Sequence, residues 1–470
     1  MARLRVVLTA FLLCAIVLES NIACGKLYQA NVTGWTQTYG GTSDDVAYSI
    51  IETGDGGYAL AGRTDSIGTE SADFWLVKTD GAGNMQWNKT YRGSGDGNPV
   101  TLILTKDGGY ALAGSGSLVK TDANGDMIWN RTYSAEPCNC DVGYVVQTDD
   151  GGYVLAGNTR IHGDDDFCLV KTDCEGSALW NKTYTKNSKD GVFSMIQTVD
   201  GGYALAGYTE GQIGSRPRFY LIKTSADGTQ LWNRTFGTGN GHYVAYSVTQ
   251  TNDEGYALVG DNSTWIGGSL MTRHCYFVKV GVEGSFEWDR EYGETHVAGA
   301  YSLVQAYDNG FVFVGYEASS VAGSRDSYLV KTDESGTVLW ENTYGGGLDD
   351  IMRSIVQTHD GGYALAGQTR SFGVGGWDFW LVRADENGAV PEFHSIILLV
   401  LFMVAAMLAA NLPKKISHFN NGRSDRNPGL TCLLRNSFFL LARADVFSVQ
   451  CSERSSPSNR RHHLRDLFQE

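Results

Sequence analysis

Gln357-Thr-His-Asp-Gly-Gly-Tyr-Ala-Leu-Ala-Gly367 reads as a tight turn running into a short apolar strand, and variants of it occur seven times along the chain. Its aromatic residue recurs as Tyr58, Tyr110, Tyr153, Tyr203, Tyr256, Phe311 and Tyr363, at intervals of 52, 43, 50, 53, 55 and 52 residues. A fixed period of this size marks an array of one supersecondary unit, each copy burying its faces against its neighbours. The flanking residues complete the unit. Between Asp45 and Tyr91 lie four runs of strand length, Val46–Thr53, Gly57–Gly62, Asp73–Asp80 and Met85–Tyr91, rich in aromatic and β-branched residues. Seven such units predict an all-β, seven-bladed β-propeller over residues 31–390.

The turns between the runs are Asp-Gly sequences: Asp55-Gly-Gly57 after the first and Asp80-Gly-Ala-Gly83 after the third. Asp hydrogen-bonds its own backbone to start a turn and Gly accepts the positive φ that closes it, so these read as hairpin chemistry. The second unit lacks a loop between its second and third runs, which accounts for the 43-residue interval. The seventh ends at Asp385-Glu-Asn-Gly388 without a Trp-x-x-Thr-Tyr run, and that run stands at the other end of the array as Trp35-Thr-Gln-Thr-Tyr39. The N-terminal strand is therefore expected to close the ring by completing the last blade. Trp35, Trp87, Trp129, Trp180, Trp232, Trp288 and Trp340 mark the fourth strands, where periodic placement predicts packing between blades.

Lys331-Thr-Asp-Glu-Ser-Gly-Thr-Val-Leu-Trp340 resembles the tryptophan-docking repeat of quinoprotein-type propellers. From about Trp35 onward the array resembles secreted, membrane-anchored archaeal propeller proteins, whose repeat phrase Gln357–Gly367 matches throughout. The resemblance implies a surface protein, of a family whose members generally lack an assigned biochemical activity. Residues 1–24, with Arg3 and Arg5 ahead of an apolar stretch, read as a secretory signal. Phe393 to Leu412 is apolar and long enough to cross a bilayer, and Lys414 and Lys415 place its far side in the cytoplasm. A transmembrane anchor at 393–412 and a basic cytoplasmic tail without fold at 413–470 are expected, giving a single-pass membrane protein with its propeller outside the cell.

The chain carries −15; the tail holds +5 and the leader +1, which leaves −21 outside the membrane. That balance argues against a nucleic-acid partner for the propeller. Cys138, Cys140, Cys168 and Cys174 cluster around the third unit and are disulfide candidates in an oxidising compartment. Asn88, Asn130, Asn181, Asn233 and Asn262 head Asn-x-Ser/Thr sequons, the first four on fourth strands.

Catalysis finds no paired nucleophile and base in the spacing of the histidines or carboxylates. Asp45, Asp190 and Asp350 occupy equivalent places before the first strand; they read either as turn caps or as an acidic ring at the channel mouth for a basic ligand or a cation such as calcium, and no other cofactor is expected. Trp265 and Trp377, outside the period and in predicted loops between second and third strands, are the aromatic candidates for ligand contact. The reading this supports is a cell-surface binding or scaffold protein that meets protein or polysaccharide, with a channel-mouth enzyme, either a quinoprotein-like dehydrogenase or a glycan hydrolase, as the alternative.

Overall fold

The computed structural model describes residues 34–67, 73–92, 101–159, 165–184, 189–210, 216–266, 269–293, 298–318 and 324–390. The expected signal, anchor and tail lie outside them. Within the described residues there is no helix; strands alone form seven antiparallel four-stranded sheets. The innermost strands of blades 1 to 7 are Asp45–Glu52, Thr101–Leu104, Asp141–Gln147, Asp190–Gln197, His242–Gln250, Ala298–Gln305 and Asp350–Gln357. Six blades take their strands in chain order. Blade 7 takes its outermost strand from Trp35–Tyr39, which pairs with Asp378–Ala384, Trp35 opposite Arg383 and Tyr39 opposite Phe379.

The phrase Tyr-Ala-Leu-Ala-Gly explains how the blades mesh. Strand residues alternate between two faces, and here the faces differ in size. Tyr58 and Leu60 enter the core shared with blade 7, among Ala364, Ala366, Phe379 and Leu381. Ala59 and Ala61 meet Leu102, Tyr110 and Leu112 of blade 2. Large side chains thus reach back and small ones receive the next blade, which fills each wedge at interior density. The closing Gly has another reason. A Cβ on Gly207 would lie 1.8 Å from the carbonyl oxygen of Gly191, and one on Gly62 2.0 Å from that of Val46. The neighbouring inner strand bulges at this point, between Val192 and Ser194 or Ala47 and Ser49, and only glycine leaves room for it.

The repeated Asp of the first turn is half of an ion pair. Lys78, its side chain 7% exposed, lies 2.8 Å from Asp55, and the same pairing joins Lys120–Asp107, Lys171–Asp150, Lys223–Asp200, Lys279–Asp253, Lys331–Asp308 and Arg383–Asp360. Lys78 Nζ also donates to the Thr79 carbonyl at 2.8 Å, while Asp55 accepts Thr53 Oγ1 at 2.5 Å and Gly57 N–H at 3.1 Å. A buried ammonium needs such a full set of acceptors to offset its lost hydration. The hydrogen bond from Lys78, followed by that from Thr53, holds the Asp55 carboxyl down at about 2.

The periodic tryptophans dock across blade boundaries. Trp35 covers Gly83 of blade 1, whose φ is +77, and an added Cβ there would meet the indole at 2.3 Å. Trp87 sits likewise on Gly125, Trp180 on Gly228 and Trp340 on Gly388. Four residues after the tryptophan a tyrosine hydroxyl donates to the same glycine's carbonyl: Tyr39 to Gly83 and Tyr184 to Gly228, both at 2.6 Å. Phe236 stands where blade 4 would carry that tyrosine.

Candidate functional site

The inner strands surround a cavity of about 430 Å³ on the ring axis, lined by Tyr48, Ser49, Thr101, Tyr144, Phe193, Ser194, Met195, Tyr246, Ser247, Tyr301, Ser302, Arg353 and Ser354. The bulges create this lining. One extra residue is inserted opposite the glycine of the second strand, and it is Tyr48, Phe193, Tyr246, Tyr301 and Arg353 in blades 1, 4, 5, 6 and 7. Blade 3 inserts Gly143, so that Tyr144 takes the place that serine holds elsewhere.

Four of the serines that follow a bulge join blade to blade. Ile50 N–H donates to Ser354 Oγ at 3.3 Å, Leu102 N–H to Ser49 at 3.2 Å, Val248 N–H to Ser194 at 3.2 Å and Ile355 N–H to Ser302 at 3.3 Å. The innermost strand is a sheet edge, and these hydroxyls satisfy amides that would otherwise face the channel unpaired. Above them the rings touch: Phe193 and Tyr246 at 5.2 Å, Tyr246 and Tyr301 at 5.3 Å between centroids. The Arg353 guanidinium lies 5.3 Å from the Tyr48 centroid and 5.0 Å from that of Tyr301, and its Nε donates to Gln368 Oε1 at 3.2 Å.

At the end of the channel where first strands begin and second strands finish, a polar network spans blades 5 to 7. Asp261, 3% exposed, lies 3.1 Å from Arg273 Nε, and Arg273 Nη1 donates to Tyr316 Oη at 2.6 Å. Arg325 stacks on Tyr316 at 5.7 Å and pairs with Asp349 at 2.9 Å. Burial pushes the Asp261 carboxyl up to about 6 against the opposing pull of Arg273, and burial takes the Tyr316 phenol to about 12. Val46, Ile351 and Trp377 form a small apolar cluster with Tyr316, against which Tyr48 and Tyr301 pack.

Of the residues picked from sequence, Asp45, Asp190 and Asp350 stand at that end and are fully buried. Asp45 accepts from Thr64 Oγ1 and from Gly41 N–H at 2.9 Å; Asp350 accepts from Thr369 Oγ1, Gly346 N–H at 2.7 Å and Ser371 Oγ at 2.6 Å. Those two carboxylates are engaged by their own turns. Among the described residues, no group of three or more His, Cys, Asp or Glu is placed to hold a metal ion. Trp377 is nearly buried, with the Arg370 guanidinium 4.6 Å from its ring. Trp265 is in a strand and not in a loop: blade 5 extends its second and third strands to Tyr256–Ile266 and Ser269–Val280, pairing Trp265 with Leu270, because the strand pattern continues past the usual end. Cys140 and Cys168 form a disulfide, Cα to Cα 6.0 Å, while Cys138 and Cys174 are free thiols. Asn88, Asn130 and Asn181 are exposed on outermost strands and Asn233 is half-buried there; Asn262, on a second strand, is half-buried and donates to Glu291 at 2.8 Å.

The channel aromatics and Arg353 went unread in the sequence, although a signal was there. An aromatic or arginine precedes serine at Tyr48-Ser49, Phe193-Ser194, Tyr246-Ser247, Tyr301-Ser302 and Arg353-Ser354, at the one point where the first run breaks its alternation.

No family model matches the chain, and no curated protein matches it. Among solved structures, it is similar to the WD40 domain of Pan2 from Neurospora crassa, at 11% identity over 73% of this chain and 89% of that one, with a TM-score of 0.48. It is also similar to the polysaccharide lyase Uly1, at 11% identity over 74% and 91%, TM-score 0.46. BBS1N in complex with ARL6DN matches at 10% identity over 76% and 97%, TM-score 0.46. Likenesses at this level carry no argument about function.

Proposed function

We propose that the protein is a cell-surface binding protein, a seven-bladed propeller held outside the membrane by its C-terminal apolar segment and engaging protein or polysaccharide at one channel mouth. One observation carries the reading: the repeat breaks into individual residues at the channel, where Tyr48, Phe193, Tyr246, Tyr301 and Arg353 stand at equivalent positions around an open cavity. A concave, aromatic-rich surface with a few polar groups is the usual form of a ligand site. The described lining holds no carboxylate, imidazole or thiol, and this favours binding over catalysis. The address rests on residues 1–24 and 393–412, read from their sequence alone.

The test has two parts. Protease added to intact cells should digest the propeller and spare the tail. Full-length protein should bind members of a glycan or protein array through the channel, with Tyr301→Ala and Trp377→Ala weakening capture. Protection from external protease would sink the address, and binding indifferent to both substitutions would sink the site. An enzyme at the same mouth is the second reading, favoured by Asp261, whose carboxyl near 6 suits a general acid. Turnover abolished by Asp261→Asn would select it.

A further inference from the structure

The channel is distinguished by what its wall can donate. In a chain of net −15, Arg353 is the one charged side chain among the described residues lining the cavity. Its Nε is spent on Gln368 and its plane is flanked by Tyr48 and Tyr301, yet its two terminal nitrogens make no hydrogen bond or ion pair among the described residues. A guanidinium gripped by rings and lacking a carboxylate has lost rotamer freedom without using its fork.

The rest of the wall has the same polarity. Ser49, Ser194, Ser302 and Ser354 already accept a backbone N–H from the next blade, so each hydroxyl proton remains to be donated. Burial holds the Tyr246 phenol well above its ordinary value, and burial raises that of Tyr144, so both remain neutral donors. The described wall thus offers hydroxyl donors and one cation, and no anion. A ligand that satisfies them is rich in oxygen acceptors, carries negative charge opposite Arg353 and offers an apolar face to the rings.

We propose that the channel binds a compact sugar acid, its carboxylate bidentate on Arg353 and its ring packed between Tyr48, Tyr301 and Tyr246. A single guanidinium balances a single carboxylate, whereas a phosphate dianion would leave one charge uncompensated inside the ring. At about 430 Å³ the cavity lies in the range of small-molecule sites. This assignment rests on the reading of the channel as a binding site and names its ligand class. A free sugar acid and the uronate end of a polysaccharide share this chemistry.

Calorimetric titration of the full-length protein with D-glucuronate, with an oligosaccharide ending in glucuronate, and with glucose tests it. Either acidic probe should bind, the oligosaccharide alone if the source is a polysaccharide end, while glucose stays silent. Arg353→Met should weaken binding by roughly tenfold or more at an unchanged melting temperature, and Arg353→Lys, which keeps charge but loses the fork, should fall between. If Arg353→Met melts early, the Lys variant alone decides: binding equal to the parent's overturns the proposal. So does silence from both acidic probes, or glucose binding as tightly as glucuronate. An array ligand bound equally by parent and Arg353→Met would remove the carboxylate reading and leave the channel a binding site, so the two failures are separable.

Discussion

The turns and outer strands are seven copies of one solution; the channel wall changes from blade to blade. In the first region every blade repeats the buried cation under an Asp turn, and the indole of one blade covers the glycine of the next. In the second, equivalent positions hold Tyr48, Gly143, Phe193, Tyr246, Tyr301 and Arg353. Repetition here reports what holds blades together, and departure from it reports what faces a ligand. The turns and the polar network at the end of the channel also answer pH with opposite sign. Asp55 and Asp150, held near 2 chiefly by Lys78 and Lys171, contribute stability that is present above their unfolded value of 3.8 and lost as pH falls through about 2. Asp261, raised from 3.8 to about 6, contributes stability that is full below 3.8 and lost as pH rises through 6.

The contrast is tested most severely at the glycine that makes room for a bulge. Gly207→Val places its branch where Cβ already lies 1.8 Å from a carbonyl oxygen, and a loss of about 4 kcal/mol or more is expected in denaturant melts; Gly347→Ala, with nothing within 4 Å, should stay within about 0.5 kcal/mol. Next comes Asp261→Asn. Its unfolding midpoint should hold steady from pH 4 to pH 7 while the parent loses up to about 3 kcal/mol over that interval, and parallel curves for the two would show that Asp261 does not titrate there. Trp180→Ala, which uncovers Gly228 but removes only a half-buried ring, should cost about 2 kcal/mol by thermal melting. Smallest is Tyr184→Phe, which deletes one hydrogen bond across a blade boundary. Phe236 already occupies that place in blade 4, and a shift of about 1 kcal/mol or less is expected.

Much of this architecture can be read without coordinates because its signals are local. The Asp-Gly turns, the Tyr-Ala-Leu-Ala-Gly strand and the missing last Trp-x-x-Thr-Tyr run give blade number, strand order and ring closure. Lys78 was less accessible: a lysine reads as exposed, and only the fold shows that Thr79 O and Asp55 surround it. The channel was hidden for a related reason. A one-residue insertion in a strand exchanges its faces, so period-two reading assigns Tyr48 and Ser49 wrongly until the bulge is known. Asp45 and Asp350 stand out by location at the mouth, and location does not reveal that Thr64 and Thr369 already donate to their carboxylates.

The strand that completes blade 7 sets how the ring is assembled and how it gives way. Trp35–Tyr39 emerges first during synthesis and must wait for Asp378–Ala384, roughly 20 to 70 s at ordinary translation rates. Because the pair is antiparallel, with Trp35 opposite Arg383, the chain enters and leaves this ladder at the same end. Tension between those two segments therefore loads the hydrogen bonds in succession, as a peel, and never all at once in shear. The propeller resists heat through seven shared cores, but a pull on its ends meets a clasp five residues long.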